Sequence, residues 1–470
     1  MAVLTDAETV FDMHVPVIIV GAGACGLTAA LAARDAGAEV LVIERDSSPY
    51  GTTGMSTGLI PAADTAEQRQ QGIKDSPALF GRDILEKSQQ GADGAVVAAL
   101  AEESAETVRW LRECHGLPLS LVDGFVYPGH SVMRMYGTPK RTGAELVAAL
   151  EAAVSAAGAD VLTQATVRDL YVDAAQRVRG VAVERPDGAR ELIGCDALIL
   201  ACCGFAGNPT LVRRYIPEIA DGVFHGHPGN KGEAIEWAEA LGARLADMDA
   251  YQGHGGLAAG HGIPILWPLI MEGGFQVNRL GERFSDESLG YSEQAVKVLR
   301  QPEGIAYSVY DARLHALMQQ FSDYQDALEA GAVLRADSVA ELAAAIKVPP
   351  AALEETFALE RACKAGERRC PFGRDFRGKA PLEAPFYAAR VTGALFHTQG
   401  GLEVDTQARV LRSSGEPFPN LFAGGGAARG ISGAGAAGYM AGNGLLTATG
   451  LGKLAGRTAG AQVAGADHAA

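Results

Sequence analysis

Apolar runs of strand length and longer stretches of helical spacing divide this chain into distinct units. Residues 16–20 (PVIIV) form a short apolar run, followed by GAGACG and then by the Ala- and Leu-rich LTAALAARDAGA. A second apolar run extends from Glu39 to Ile43 and ends at Glu44. The pattern predicts strand, glycine turn, helix and strand, with a carboxylate closing the second strand. TGAELVAAL (142–150) starts another helix that runs to Gly158. DVLTQATVRDLYVD and VRGVAVERPDG read as strands separated by turn signals. CDALILACCGFAGN reads as a buried strand entering a loop, with Cys202 and Cys203 as small buried side chains after it.

From about residue 246 to 390 the pattern turns helical. ARLHALMQQFSDYQDALEAG is one long amphipathic stretch. In AELAAAIKVPPAALEETFALERAC, Ser338 and Glu341 have capping-box spacing, and Pro349 and Pro350 mark a turn between two helices. These residues predict a cap domain inserted into a nucleotide domain, with segments 1–245, 246–394 and 395–470. Strand and glycine character returns from Leu395, and residues past about 457 read as a frayed end. There are no internal repeats.

At 470 residues the chain is long enough for two or three domain-sized units. Hydrophobic residues make up 48% and charged residues 20%, an ordinary globular balance. The formal net charge is −16 and no block of Lys and Arg occurs, which argues against nucleic acid or an anionic membrane as a partner. The N-terminal MAVLTDAETVFDMHVP lacks the basic and apolar regions of a signal peptide, and no apolar stretch approaches the ~20 residues of a membrane span. Seven cysteines without zinc-like spacing suggest reduced thiols, a cytoplasmic location and no metal site.

Gly21, Gly23 and Gly26 form G-x-G-x-x-G after a strand and at the mouth of a helix. Such glycines permit a tight turn and close approach of the backbone to a pyrophosphate, which the helix N-terminus stabilises. Glu44 lies where a carboxylate holds ribose hydroxyls. Thr52, Thr53, Ser56 and Thr57 supply small hydroxyls along an extended cofactor, which favours FAD over NAD. FPNLFAGGGAARG and GYMAGNGLL add a second glycine-rich loop that enters a helix at Asn443, where a helix N-terminus stabilises negative charge on a reduced flavin.

Taken in order, the opening fingerprint, LILACCGFAGN, GHPGNKGEAIEWAEALGA, FQVNRLGERFSDES, FHTQGGLEVD and the closing LFAGGG…GN…LGKLAG resemble the fumarate reductase/succinate dehydrogenase flavoprotein superfamily. That group also contains the 3-ketosteroid dehydrogenases, and the resemblance covers nearly the whole chain. It implies an α/β fold: a Rossmann-type FAD-binding domain in two sequence segments with an inserted α+β cap. It also implies non-covalent FAD, held by the residues above together with Cys25, Arg45, Gly58, Val167, Gly204, Gly425, Gly426, Leu445 and Leu446. One departure is Gly426, where relatives often carry a ribose-binding acid.

The fumarate reductases hold two carboxylates with histidines, a Thr–Glu pair and two arginines. By resemblance His254 and His397 match the histidines, whereas the Thr–Glu pair falls on Leu266 and Trp267. The proton-delivering arginine falls on Tyr291 and the carboxylate-binding arginine on Tyr439. Burying a dianion without those cations costs several kcal/mol, so fumarate and succinate are disfavoured. Tyr291 and Tyr439 instead resemble the catalytic and ketone-binding tyrosines of the ketosteroid dehydrogenase branch. The resemblance implies Tyr291 as the base for an α-proton, provided neighbours lower its pKa from about 10. It further implies Tyr439 and the Gly442 N–H as anchor of the ketone, as in an oxyanion hole. His397 is a further catalytic candidate, and His254, Trp267, Arg134 and Tyr136 complete the substrate candidates, with Tyr127 and His130 in the same segment. Arg134 would be the partner of a substrate carboxylate. Arg283 and Glu287 read as structural.

The leading expectation is a flavin-dependent desaturase that forms a C=C bond next to the ketone of a cyclic substrate, passing electrons to an acceptor the sequence leaves open. The alternatives are an ene-reductase of an α,β-unsaturated acid or ketone, and a flavoprotein subunit that only relays electrons.

Overall fold

The central sheet has six strands in the order Arg409–Leu411, Pro417–Ala423, Ala197–Leu200, Val17–Val20, Val40–Ile43 and Asp160–Leu162. All neighbours run parallel except the antiparallel edge pair. Parallel strands are covered on both faces, which is why Val17, Ile18 and Ile19 are apolar without alternation and fully buried. The computed structural model of the protein describes residues 2–5 and 8–467. A second sheet, built around Thr166–Val172, Val178–Glu184 and Arg190–Gly194, packs beside the first.

Between the first two apolar strands the chain turns at Gly21, whose φ is +104°. A Cβ there would lie 2.6 Å from the Ala201 carbonyl oxygen, so only glycine lets the turn pass the neighbouring strand end. The helix Ala24–Asp35 follows and is buried over its first ten residues.

Its partner is the C-terminal helix Asn443–Asp467, which corrects the expectation of a frayed end past 457. Gly452, Gly456 and Gly460 form a seam on that helix. Added Cβ atoms would meet the Cys25 carbonyl oxygen at 2.5 Å, run into the Ala29 carbonyl oxygen, and meet Ala36 Cβ at 2.8 Å. Ala459 and Val463 are likewise buried. The small residues that read as disorder are those that let two helix backbones touch.

A separate hydrophobic core, drawn mostly from residues 258–391, surrounds a third sheet. Its spine is the long strand Phe386–Thr398, which pairs with Val223–Phe224, Tyr251–Ala258, Ile305–Asp311 and Val333–Ala336, and Phe275–Asn278 extends the sheet. Both sequence boundaries drawn above fall inside strands, at Leu245–Ala246 and within Phe386–Thr398. The stretch 312–331 is two helices, Ala312–Met318 and Ser322–Glu329, rather than one. The break is at Phe321, extended and buried, whose ring packs on Phe125 with 5.7 Å between centroids. Ser338 accepts the Glu341 N–H at 3.2 Å, and Pro350 opens the following helix, as the spacing predicts. The reciprocal bond differs by one residue: Glu341 accepts from Asp337.

Candidate active site

One cavity runs between the two cores, from the glycine loop to the cap. At its glycine end Gly21, Gly23, Ala24 and Cys25 line the wall with Thr52, Thr53, Ser56 and Thr57. The Ala24 N–H donates to Thr53 Oγ1 at 3.0 Å, which fixes the hydroxyl loop against the first turn of the helix. Glu44 accepts from the Ala22 N–H at 2.8 Å and the Asp46 N–H at 3.0 Å, so the carboxylate is tied to the turn whose cavity face it shares. Val167, Gly425, Gly426 and Leu445 complete this end.

Arg45 is the one arginine or lysine among the lining residues. Its guanidinium is ion-paired with Glu233 and donates to the Gly229 carbonyl at 2.7 Å. Asn230 donates to Thr52 Oγ1 at 2.7 Å, and Glu233 Oε2 is buried without a hydrogen-bond partner. Glycine turn, small hydroxyls, a helix N-terminus and an unpartnered carboxylate oxygen form a donor and acceptor set that fits the phosphates and ribose of a dinucleotide such as FAD. Asn230 and Glu233 were not singled out individually, although the GHPGNKGEAIEW motif contains both. Cys202 and Cys203 depart from the buried reading: both are half-buried free thiols that border this cavity, and Cys203 adopts a left-handed φ of +64°. Burial pushes the Cys202 thiol up to about 12, so it stays protonated at neutral pH.

Aromatic rings close the other end. Tyr291 and Tyr439 meet edge to face with 6.1 Å between ring centroids, and His254 lies 5.1 Å from Tyr291 and stacks on Phe396 at 5.0 Å. Trp267 stands edge-on to His254, and its indole N–H donates to the Glu287 carbonyl at 3.1 Å. His397 is 5.5 Å from Tyr439, and its Nδ1 lies 3.2 Å from the Gln399 amide nitrogen. Burial holds Tyr291 and Tyr439 well above the usual phenol range, opposed at Tyr439 by a backbone hydrogen bond from Gly444; the neighbours expected to lower Tyr291 raise it further instead, since Tyr439, Tyr127 and Glu293 all disfavour a second negative charge beside them. That contact puts the Tyr439 hydroxyl at the N-terminus of the last helix. Burial lowers His254 to about 3, with a smaller contribution from His225, and lowers His397 to about 4. The Gly256 N–H donates to His254 Nδ1 at 3.0 Å, leaving Nε2 as the protonated nitrogen of that neutral ring. Gly442 also lines this end, with φ +84° and Pro61 pressed where a side chain would stand.

Several predicted residues stand behind the wall. Arg134 is fully buried, 2.7 Å from Asp75 and 2.5 Å from Asp83, so its charge is already matched and unavailable to a substrate carboxylate. Tyr136 donates to Thr65 at 2.5 Å within the core, away from the cavity. His130 is bound to the Ala441 carbonyl at 2.9 Å. Gly26 packs under Gly21, Gly58 against the Thr142 carbonyl, and Gly204 against Thr398. Leu446 is core, and Asn443 is buried with its amide on Ser432 at 3.1 Å. Tyr127 borders the cavity, as do Gln252, Gln399, His225 and Asp323, which carried no motif signal of their own. Arg283 and Arg374 both bind Glu287, a buried ion cluster inside the cap. Among the described residues no group of His, Cys, Asp and Glu could hold a metal, and no helix is long and apolar enough to cross a membrane.

The FAD binding domain family matches residues 16–445. A fumarate reductase (cytochrome) of Shewanella frigidimarina is 29% identical over 447 residues, 95% of this chain and 77% of that protein. The open conformation of a flavocytochrome c3 fumarate reductase superposes with a TM-score of 0.80 at 26% identity, over 96% of this chain and 79% of the other. The 3-ketosteroid-delta4-(5alpha)-dehydrogenase of Rhodococcus jostii RHA1 shares the fold, with a TM-score of 0.75 at 24% identity over 97% and 98% of the two chains.

Proposed function

Given that the chain belongs to the FAD binding domain family, as a fumarate reductase/succinate dehydrogenase superfamily oxidoreductase acting on CH–CH groups, we propose that it dehydrogenates the carbon–carbon bond next to the ketone of a neutral cyclic substrate. The observation that carries this reading is the tyrosine pair Tyr291 and Tyr439, edge to face with 6.1 Å between ring centroids, in a cavity whose single guanidinium is committed to Glu233. A dicarboxylate would meet no free cation there, and an unpaired dianion costs several kcal/mol in such surroundings.

Bound FAD supplies the acceptor for the hydride that leaves the β-carbon. In this reading the Tyr439 hydroxyl and the Gly442 N–H hold the ketone oxygen and stabilise the negative charge that develops on it. Tyr291, after giving up its own proton, takes the α-proton on its phenolate oxygen. Trp267, Phe396 and the neutral His254 ring exclude water and orient the substrate ring, and His397 sits beside the ketone anchor. The test is anaerobic stopped-flow bleaching of the flavin by saturated cyclic ketones, run beside succinate. Ketones bleach the flavin, succinate does not, and Tyr291→Phe slows bleaching by about 100-fold or more. Equal bleaching by succinate, or an unchanged Tyr291→Phe, overturns the reading.

A second reading, reduction of an enone by the same groups, is favoured by the state of the tyrosines. Burial keeps Tyr291 protonated, which suits a proton donor, and the Shewanella relative is itself named a reductase. The pH profile separates the two. Dehydrogenation needs Tyr291 to lose its own proton, so its rate climbs with pH toward and beyond 10. Reduction uses the protonated phenol, so its rate is flat through neutrality and declines only in strong alkali.

A further inference from the structure

The cap end of the cavity contains one charged side chain, Asp323. It is the second residue of the helix Ser322–Glu329, which starts where Phe321 turns into the core. Phe321 packs on Phe125, and Phe125 on Tyr127 at 5.0 Å, so the start of this helix and the Tyr127 loop are docked together. The Asp323 charge acts on Tyr127, and both line the same cavity as Tyr291 and Tyr439, whose ring centroids are 6.1 Å apart. The Asp323 carboxylate has no hydrogen-bond or ion-pair partner among the described residues. Arg141, which also acts on Tyr127, donates to Gln320 at 2.6 Å instead. Burial, and then Asp326, raise the Asp323 carboxyl to about 6, which still leaves it mostly ionised at neutral pH.

An unpartnered carboxylate facing an aromatic cavity is a poor neighbour for an apolar or anionic group and a good acceptor for a donor. Resting on the ketone reading above, we propose that Asp323 determines specificity: it accepts a hydrogen bond from a hydroxyl or ammonium group at the end of the substrate remote from the ketone. The substrate is then an elongated cyclic ketone with a donor at its far end, held by Tyr439 at one end and Asp323 at the other. A site built to accept such a bond discriminates against the analogue lacking the donor, because the carboxylate is left unpaired.

The test uses the FAD-loaded enzyme and 4-alkylcyclohexanones of graded tail length that end in methyl, hydroxyl, ammonium or carboxylate. Binding is read from the perturbation of flavin absorbance, and turnover from anaerobic bleaching. At the best tail length the hydroxyl or ammonium compound binds roughly 10- to 100-fold more tightly than the methyl compound, and the carboxylate binds worst. Asp323→Leu abolishes this preference. Asp323→Asn, which keeps an acceptor without the charge, retains a hydroxyl preference and loses an ammonium preference, so it identifies the donor. Both variants keep full flavin content, since no protein group relies on this carboxylate. Equal binding of all tails by the wild type, or a preference unchanged in Asp323→Leu, overturns the proposal. Donor-selective binding without bleaching by any ketone leaves Asp323 in place and removes the ketone reading. Bleaching that ignores the tail does the reverse.

Discussion

His130 and His254 are buried and neutral at pH 7, lowered by burial to about 4 and about 3. An exposed histidine in the unfolded chain titrates near 6.5. As pH falls through that value the unfolded chain takes up protons that the folded chain refuses, so stability is full above about 6.5 and declines toward 4 and 3. At roughly 1.36 kcal/mol per pKa unit, each ring accounts for a few kcal/mol across that window. Melting curves from pH 7 to pH 4 should show a falling midpoint, with a smaller fall in His130→Gln. Single residues are also where the sequence was hardest to read. Gly21 and Gly23 of the glycine fingerprint, Glu44 and the tyrosine pair lie in motifs whose spacing states their geometry, and they border the cavity. Arg134 looked free because its partners Asp75 and Asp83 are 59 and 51 positions away and belong to no motif. Asp323 was invisible for the opposite reason: in sequence it is one more acid on an amphipathic helix, and only folding turns it toward the cavity.

At the scale of elements, the two helices that begin at the cavity, Ala24–Asp35 and Asn443–Asp467, are held together by a glycine seam. Replacing Gly456 with Val drives a branched side chain into the Ala29 carbonyl, and overpacking of this kind costs about 1–3 kcal/mol. We expect a lower melting temperature for Gly456→Val and faster FAD loss, read as free flavin fluorescence, because spreading the seam shifts both helix starts. Gly465→Val, where a Cβ meets nothing within 4 Å, should leave both unchanged. Strand, turn and helix up to Ile43 were legible because burial on both faces leaves an unbroken apolar run. The start of the last helix at Asn443 was legible too, but its run past 457 was not: its Gly- and Ala-rich face makes sense only against a helix some four hundred residues earlier. The split at Phe321 was hidden likewise, since both halves keep helical spacing while the ring between them is drawn to Phe125.

At the scale of the molecule, two hydrophobic cores share one cavity between them, and a bound cofactor would touch walls belonging to both. Removing FAD should therefore lower the melting temperature, and adding it back should restore it in a concentration-dependent way. Free FAD at 100 times its dissociation constant contributes about 2.7 kcal/mol. A melting curve indifferent to FAD would mean that the cavity forms no such bridge. The glycine seam has a consequence in time as well as in space. Helix Ala24–Asp35 leaves the ribosome about four hundred residues before helix Asn443–Asp467. At 5–20 residues per second, that interval is roughly 20–80 s. Throughout it the glycine loop stands on a helix with one apolar side uncovered, and for most of it the pocket wall that begins at Gly425 does not yet exist. Cofactor capture is thus expected late in biosynthesis, once the last helix has covered that side.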